Sequence, residues 1–274
     1  MTNPASKVPE NAAVRREKRI VSRENPDFRA WKKLRDSSRA RRKQGRLLLE
    51  GIHLVMAWQA AWGMPEVILV SESGRARPEI RVWIAQTGAR VTELADSLFR
   101  ELSATETPGG ILAVVTLPVP ASPPAANRDS LLLDGVQDPG NLGTLLRSAA
   151  AAGVGQVLLS TDCAEAWSPK ALRAGQGAHF TLRVHEDVDL PCFLAAFQGD
   201  TLAATLEDAV SLHAATWRHP VAWVMGAEGQ GARPETLAAC RQRVYIPMPG
   251  AVESLNVGAA AAVCLFEMVR RRHA

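Results

Sequence analysis

The sequence predicts an α/β protein in two parts: a C-terminal domain on a parallel sheet, and a smaller α/β domain before it. Three observations carry this. Apolar runs of strand length alternate with helix-length amphipathic stretches through both halves, the pattern of parallel strands covered on both faces. Residues 118–127, PVPASPPAAN, place four prolines in ten residues and interrupt that alternation as an extended linker. The chain has 274 residues, 47% of them apolar and 22% charged, enough for a sizeable core and unlike a disordered chain.

In order along the chain, residues 1–26 are polar, charged and without period, and read as a flexible arm. Residues 27–117 form the first domain. RLLLEGIHLVMAWQAAWG is a strand running into a helix, EVILVSES a strand, RVWIAQTGARVTEL a helix–strand unit and GGILAVVTL a closing strand. Residues 128–274 form the second. Its strand candidates are 131–136, 154–160, 180–184, 201–206, 221–226 and 243–248, and a helix closes the chain from Leu255 to Arg272. Ligands of such sheets bind beyond the carboxyl ends of the strands, so chemistry is expected in the loops after strands.

Charge is uneven. The first 50 residues carry fifteen Lys and Arg against six Asp and Glu, a local +9, while the rest carries −5. A basic segment on a mildly acidic body suits a polyanion. Lys32, Lys33, Arg35, Arg39, Arg41, Arg42, Lys43 and Arg46 are the candidate nucleic-acid contacts; the plainer reading is a solvated helix face. No apolar run reaches membrane-spanning length and the N-terminus has no secretory h-region. With four scattered cysteines and no CxxC, reduced thiols and a cytoplasmic location are expected.

Three loops after strands stand out. DGVQDPGNLGTLLRSAAAAG (134–153) is a polar loop entering a helix, with Asn141 as a possible N-cap and Arg147 offering a cationic fork suited to phosphate. VMGAEGQGARPE (224–235) sets Gly226, Gly229 and Gly231 around Glu228, allowing tight turns and close backbone approach. YIPMPGAVESLNVGAAAAVCLFEMVRRR (245–272) leads from a strand through Glu253, Ser254 and Asn256 into a helix that opens in small residues, with Ser254 a possible N-cap. Each loop alone is a weak signal. GxGxxG, the P-loop, HExxH and GxSxG are all absent, and the histidines show no metal-ligand spacing. The carboxylate pairs Glu186-Asp187 and Glu207-Asp208 read as solvated turns. Gly153-Val154-Gly155 is a partial dinucleotide motif with Leu158 at the third glycine position, so a Rossmann enzyme is disfavoured.

Read in order, Asn141–Arg147 (NLGTLLR), Met225–Gly231 (MGAEGQG) and Ile246–Val257 (IPM…ESLNV) resemble the SpoU/TrmH family of RNA ribose 2′-O-methyltransferases of the SPOUT superfamily. SPKALRAGQGAHF (168–180) is similar to the family's connecting segment, with Gly175 where a serine is common. Residues 40–117 resemble more loosely the small RNA-binding domain that precedes the catalytic domain in many members. The resemblance implies an α/β trefoil knot over 128–274. It implies S-adenosylmethionine bound against Gly226, Ile246, Met248 and Leu255, largely through backbone groups. It implies a homodimer with composite sites, no metal and an RNA substrate, ribosomal rather than transfer RNA because a separate N-terminal domain is present. Arg147 would be the catalytic residue, and Asn141, Glu228, Ser254 and Asn256 would orient hydroxyl, arginine and ligand. A guanidinium stays protonated, so Arg147 is expected to clamp phosphate rather than to act as base. The alternative is a non-catalytic RNA-binding or ribosome-assembly protein on the same fold.

Overall fold

The computed structural model describes residues 18–272. Its first lobe runs β1 (Lys18–Ile20), α1 (Pro26–Asp36), α2 (Ser38–Gln44), β2 (Arg46–Glu50), α3 (Ile52–Trp62), β3 (Val67–Ser71), α4 (Glu72–Arg75), α5 (Pro78–Thr87), β4 (Val91–Leu94), α6 (Asp96–Leu102) and β5 (Ile111–Thr116). The second runs β6 (Ser130–Asp134), α7 (Pro139–Ala151), β7 (Gln156–Leu159), α8 (Pro169–Gly175), a 3-10 turn at Ala178–Phe180, β8 (Arg183–His185), α9 (Leu190–Ala196), β9 (Asp200–Ala204), β10 (Val210–Ser211), β11 (Val221–Gly226), α10 (Pro234–Ala238), β12 (Gln242–Tyr245) and α11 (Val257–Arg272).

The expected arm, residues 1–26, divides. Residues 1–17 lie outside the described residues. Lys18–Ile20 pairs in parallel with β4 and buries Ile20. Asn25 then caps α1, its side chain accepting from the amides of Asp27 and Phe28, with Pro26 at the first helical position. Phe28, Trp31 and Leu34 form the buried stripe of α1 at helical spacing. Trp31 is therefore core.

The first sheet has the order β1-β4-β3-β5-β2, with β5 antiparallel to both of its neighbours. Alternation along its strands sends side chains to two cores. Leu48, Leu69, Leu112 and Val114 pack with α1 and α6, while Leu47, Leu49, Ile68, Val70 and Ala113 face α3 and α5. The second sheet, β10-β12-β9-β11-β6-β7-β8, is parallel throughout. Leu131, Leu133, Leu202, Trp223 and Met225 face α7 and α11; Leu132, Leu158, Ala203, Ala222 and Val224 face α9. Burial on both faces accounts for the unbroken apolar runs in these strands.

One face of each sheet contributes to a single apolar cluster that continues from Trp58 to Phe180, so the lobes share a core. Residues 117–129 between them form no helix or strand, yet they are held: Gln156 bonds both backbone groups of Ala125. The two-residue β10 carried too short a pattern to read from sequence. Phe180, expected to open a strand, lies in the 3-10 turn instead.

Candidate active site and nucleic-acid interface

The loops after β6, β11 and β12 meet at the carboxyl end of the parallel sheet. The cap of helix α7 lies three residues before the expected Asn141. It is Asp138, whose carboxylate accepts from the Asn141 amide at 2.9 Å and pairs with Lys170 at 2.5 Å. The Lys170 bond first, and the Asn141 amide second, hold the Asp138 carboxyl below the ordinary aspartate range. Asn141 is thereby in the first turn of the helix, with its side chain free to bond elsewhere. Close packing sets the helix: a Cβ on Gly143 would lie 2.4 Å from the Ala171 carbonyl, so α7 and α8 touch backbone to backbone.

The loop after β11 is a tight hairpin. Ala227 and Gly231 exchange both backbone bonds at 3.0 and 2.9 Å, and Gly229 and Gly231 adopt positive φ. A Cβ on Gly226 would stand 1.9 Å from the Ala232 nitrogen, so the returning strand of the hairpin requires that glycine. Asp134, fully buried at the end of β6, anchors the next residues by accepting from the amide and Nε of Arg233 at 2.9 and 2.8 Å. Sequence reasoning passed over this pair, which spans 99 positions.

Asn256 joins the three loops. Its Nδ2 donates to Asn141 Oδ1 at 3.1 Å and to Glu228 Oε1 at 2.8 Å. Its Oδ1 accepts from the amides of Gly258 and Ala259 and so caps α11. The cap is thus Asn256, not the expected Ser254, and α11 begins at Val257 rather than Leu255. One amide side chain supplies both donor and acceptor, which neither aspartate nor serine could do in the same way. Gly258 lets α11 approach Thr144 of α7.

The other expected site residues are placed differently. Arg147 is exposed on α7 and has no ion pair or hydrogen bond among the described residues, the Asn141–Asn256–Glu228 cluster included. Ser254 and Leu255 are exposed, Ile246 and Met248 half-buried, Gly226 buried. No backbone amide from Ile246 to Asn256 has a backbone partner among the described residues.

The basic segment separates into two kinds of residue. Arg41 is buried: it donates to the carbonyls of Leu34 and Arg35 and grips both carboxylate oxygens of Glu165, with side-chain exposures of 6% and 13% for the pair. It ties the lobes together and is removed from the list of nucleic-acid contacts. Arg42 reaches Asp187, Arg46 reaches Glu66 and Lys32 reaches Glu101. Arg35 pairs with its neighbour Asp36. Lys33, Arg39 and Lys43 are exposed without a carboxylate partner among the described residues. Among those residues there is also no group of three or more His, Cys, Asp or Glu that could hold a metal ion, and no helix long and apolar enough to cross a membrane.

Comparison with known proteins places this geometry. The SpoU rRNA methylase family model matches residues 130–266, and the MRM3-like substrate-binding domain model matches residues 25–113. The chain is 33% identical to the 23S rRNA (guanosine(2553)-2′-O)-methyltransferase RlmP of Bacillus subtilis, over 92% of this chain and 99% of that protein. It is 43% identical to the 23S rRNA (guanosine-2′-O-)-methyltransferase RlmB of Bordetella pertussis, over 52% of this chain and 59% of that one. A crystal structure of an RNA 2′-O ribose methyltransferase superposes with a TM-score of 0.80 at 30% identity, covering 93% of this chain and all of that one. The SpoU methyltransferase AviRb of Streptomyces viridochromogenes, solved with AdoMet, superposes with a TM-score of 0.79 at 25% identity over 91% of this chain and 99% of that one. With a catalytic-domain match over half the chain and a relative aligned along nearly all of it, the protein belongs to the SpoU rRNA methylase family.

Proposed function

We propose that this protein transfers a methyl group from S-adenosylmethionine to a ribose 2′-hydroxyl of structured RNA, ribosomal RNA ahead of transfer RNA. The observation that carries the reading is the Asn256 bridge, which gathers Asn141, Glu228 and the start of α11 at the carboxyl ends of β6 and β11.

The residues present fit a methyl donor. The segment after β12 combines half-buried Ile246 and Met248 with unpaired backbone amides, a donor set suited to an adenine ring and ribose. Gly226, Ile246, Met248 and Leu255 would hold that group. When bound, the donor supplies an electrophilic methyl sulfonium. The chain's own task is to orient the hydroxyl and stabilise charge. Asn256, fixed by two partners, and Glu228, held by Asn256, orient polar groups at the site; Ser254 adds an exposed hydroxyl beside them. Arg147, with its planar cationic guanidinium, is free to bind the phosphate next to the target ribose.

Arg147 makes no bond to the cluster among the described residues, as expected if composite sites are made by two copies. The exposed apolar residues on and before α11, Val252, Leu255, Val263 and Phe266, offer a surface for that homodimer. We infer that the segment between β12 and α11 is threaded as a trefoil knot, that Lys33, Arg39 and Lys43 contact RNA, and that the protein works in the cytoplasm where ribosomal RNA resides.

The test is transfer of label from S-adenosylmethionine to total bacterial RNA, with size separation and nucleoside analysis. Label in a 2′-O-methylnucleoside of ribosomal RNA supports the reading. Absence of both transfer and donor binding would instead favour the non-catalytic RNA-binding or ribosome-assembly reading.

A further inference from the structure

A cleft lies at the other end of the sheet. Trp62, the last residue of α3, is 43% exposed although it packs edge-on against Trp58 at 4.5 Å and against Phe180 at 5.3 Å. Trp167 lies 6.4 Å away with its ring tilted by 45°. With the Pro118–Pro120 stretch and the start of β8, Trp62, Trp167 and Phe180 enclose an open cleft of about 290 Å³. Arg183 lines it, exposed and without a carboxylate partner among the described residues. The walls are apolar and aromatic, and the charged group at the edge is cationic.

We propose that this cleft takes one unpaired nucleobase of the RNA substrate, stacked on Trp62, with Arg183 on the adjoining phosphate. The assignment rests on the RNA substrate proposed above. Its size is at the lower end of small-ligand pockets, about 300–1,000 Å³, which admits a base rather than a folded segment. Aromatic side chains stack any base, while a guanidinium adds phosphate or π contact, a combination that single-stranded nucleic acid satisfies and an apolar peptide does not. Proline at positions 118 and 120 leaves that wall without amide donors there, which suits a ring face.

Arg183 pairs in register with Gln156 and Gln156 with Ser130, the first residues of their strands. Asn141 and Glu228 follow the last residues of β6 and β11. The two sites are therefore separated by at least the length of β6, about 13 Å along the strands. A base held in the cleft is therefore not the methylated one, so the cleft acts on RNA affinity and not on the chemical step.

The test follows the Trp62 indole N–H resonance in the full-length protein, assigned by its loss in Trp62→Phe, during titration with adenosine 5′-monophosphate and with a mixed-sequence oligoribonucleotide. A shift with both, weakened in Arg183→Gln, is expected. Trp62→Leu should weaken RNA binding about tenfold and raise KM for RNA, with kcat and S-adenosylmethionine affinity unchanged. An indole signal unmoved by either probe, or moved only by an apolar peptide, overturns the proposal, as does unchanged RNA affinity in Trp62→Leu with the native melting temperature. These results are independent of the methyl-transfer assay. Donor binding and RNA methylation with an inert Trp62 refute the cleft alone; a responsive Trp62 without methylation refutes the enzymatic reading alone.

Discussion

Replacing Asn256 by aspartate isolates the part of the site that only a side-chain amide can perform. The substitution keeps an oxygen to cap α11, and a carboxylate there is favoured by the helix dipole. The cap's own contribution to stability should therefore change by no more than about 0.5 kcal/mol, so a melting shift beyond about 2 °C reports the lost hub bonds. The two donated bonds are lost, to Asn141 and to the Glu228 carboxylate 2.8 Å away. A hydrogen bond to a charged group is worth about 1.5 kcal/mol at the low end of its range, which suits these exposed side chains. Two carboxylates about 3 Å apart repel by roughly 1.4 kcal/mol in a water-like medium. Together these open the hub by about 3 kcal/mol, so kcat/KM should fall about a hundredfold near neutral pH. Repulsion raises the carboxyl pKa values, so as pH falls towards 5 one proton is taken up and an O–H again donates to Glu228. The ratio of variant to wild-type activity should then rise as pH drops. Methyl transfer measured from pH 5 to 8, beside calorimetric donor binding and thermal melting, checks this. Wild-type kcat/KM at pH 8, or a ratio that does not change with pH, would refute the role given to Asn256. Asn256→Ala, which also loses the cap, should melt about 2–4 °C lower.

Four further outcomes are expected. Arg147→Ala should abolish turnover while sparing S-adenosylmethionine binding, measured by calorimetry; equal loss of both would remove the phosphate-clamp role. Glu165→Ala leaves Arg41 charged and buried between the lobes, and should cost about 3 kcal/mol in urea unfolding. The triple change of Lys33, Arg39 and Lys43 to Gln should reduce the slope of log K for RNA against log salt by about 2, whereas Arg41→Gln should affect stability and leave that slope alone. Burial lowers the pKa of His179 to about 4 despite its bond to the Ala166 carbonyl, so the ring is neutral at pH 7. The unfolded chain takes up that proton first, so this contribution to stability is present above pH 6.5 and is lost as pH falls from 6.5 towards 4. An NMR titration giving His179 an ordinary value would contradict this.

The strands were legible because a parallel sheet covered on both faces writes itself as short apolar runs, and β2, β3, β5, β6, β7, β9 and β11 all fall on such runs. The three loops were legible because tight hairpins require particular residues, here glycine at 226, 229 and 231. Even there the expected cap at Asn141 was displaced: Asp138 carries a similar side-chain oxygen three residues earlier, and it is the one that reaches a helix amide, that of Asn141.

What tertiary structure alone decided was which distant residues meet. Asn256 finds Asn141 across 115 positions because β11 lies beside β6 in the sheet and α11 packs on α7, an order that no local pattern encodes. The basic segment shows the same limit. Arg41 and its exposed neighbours Arg39 and Lys43 read alike in sequence, but the α2 face that carries Arg41 turns into the junction between the lobes, where Glu165 offers a paired carboxylate. A charge states its chemistry in the sequence; whether water or a buried partner satisfies it depends on what the fold brings within a few ångströms.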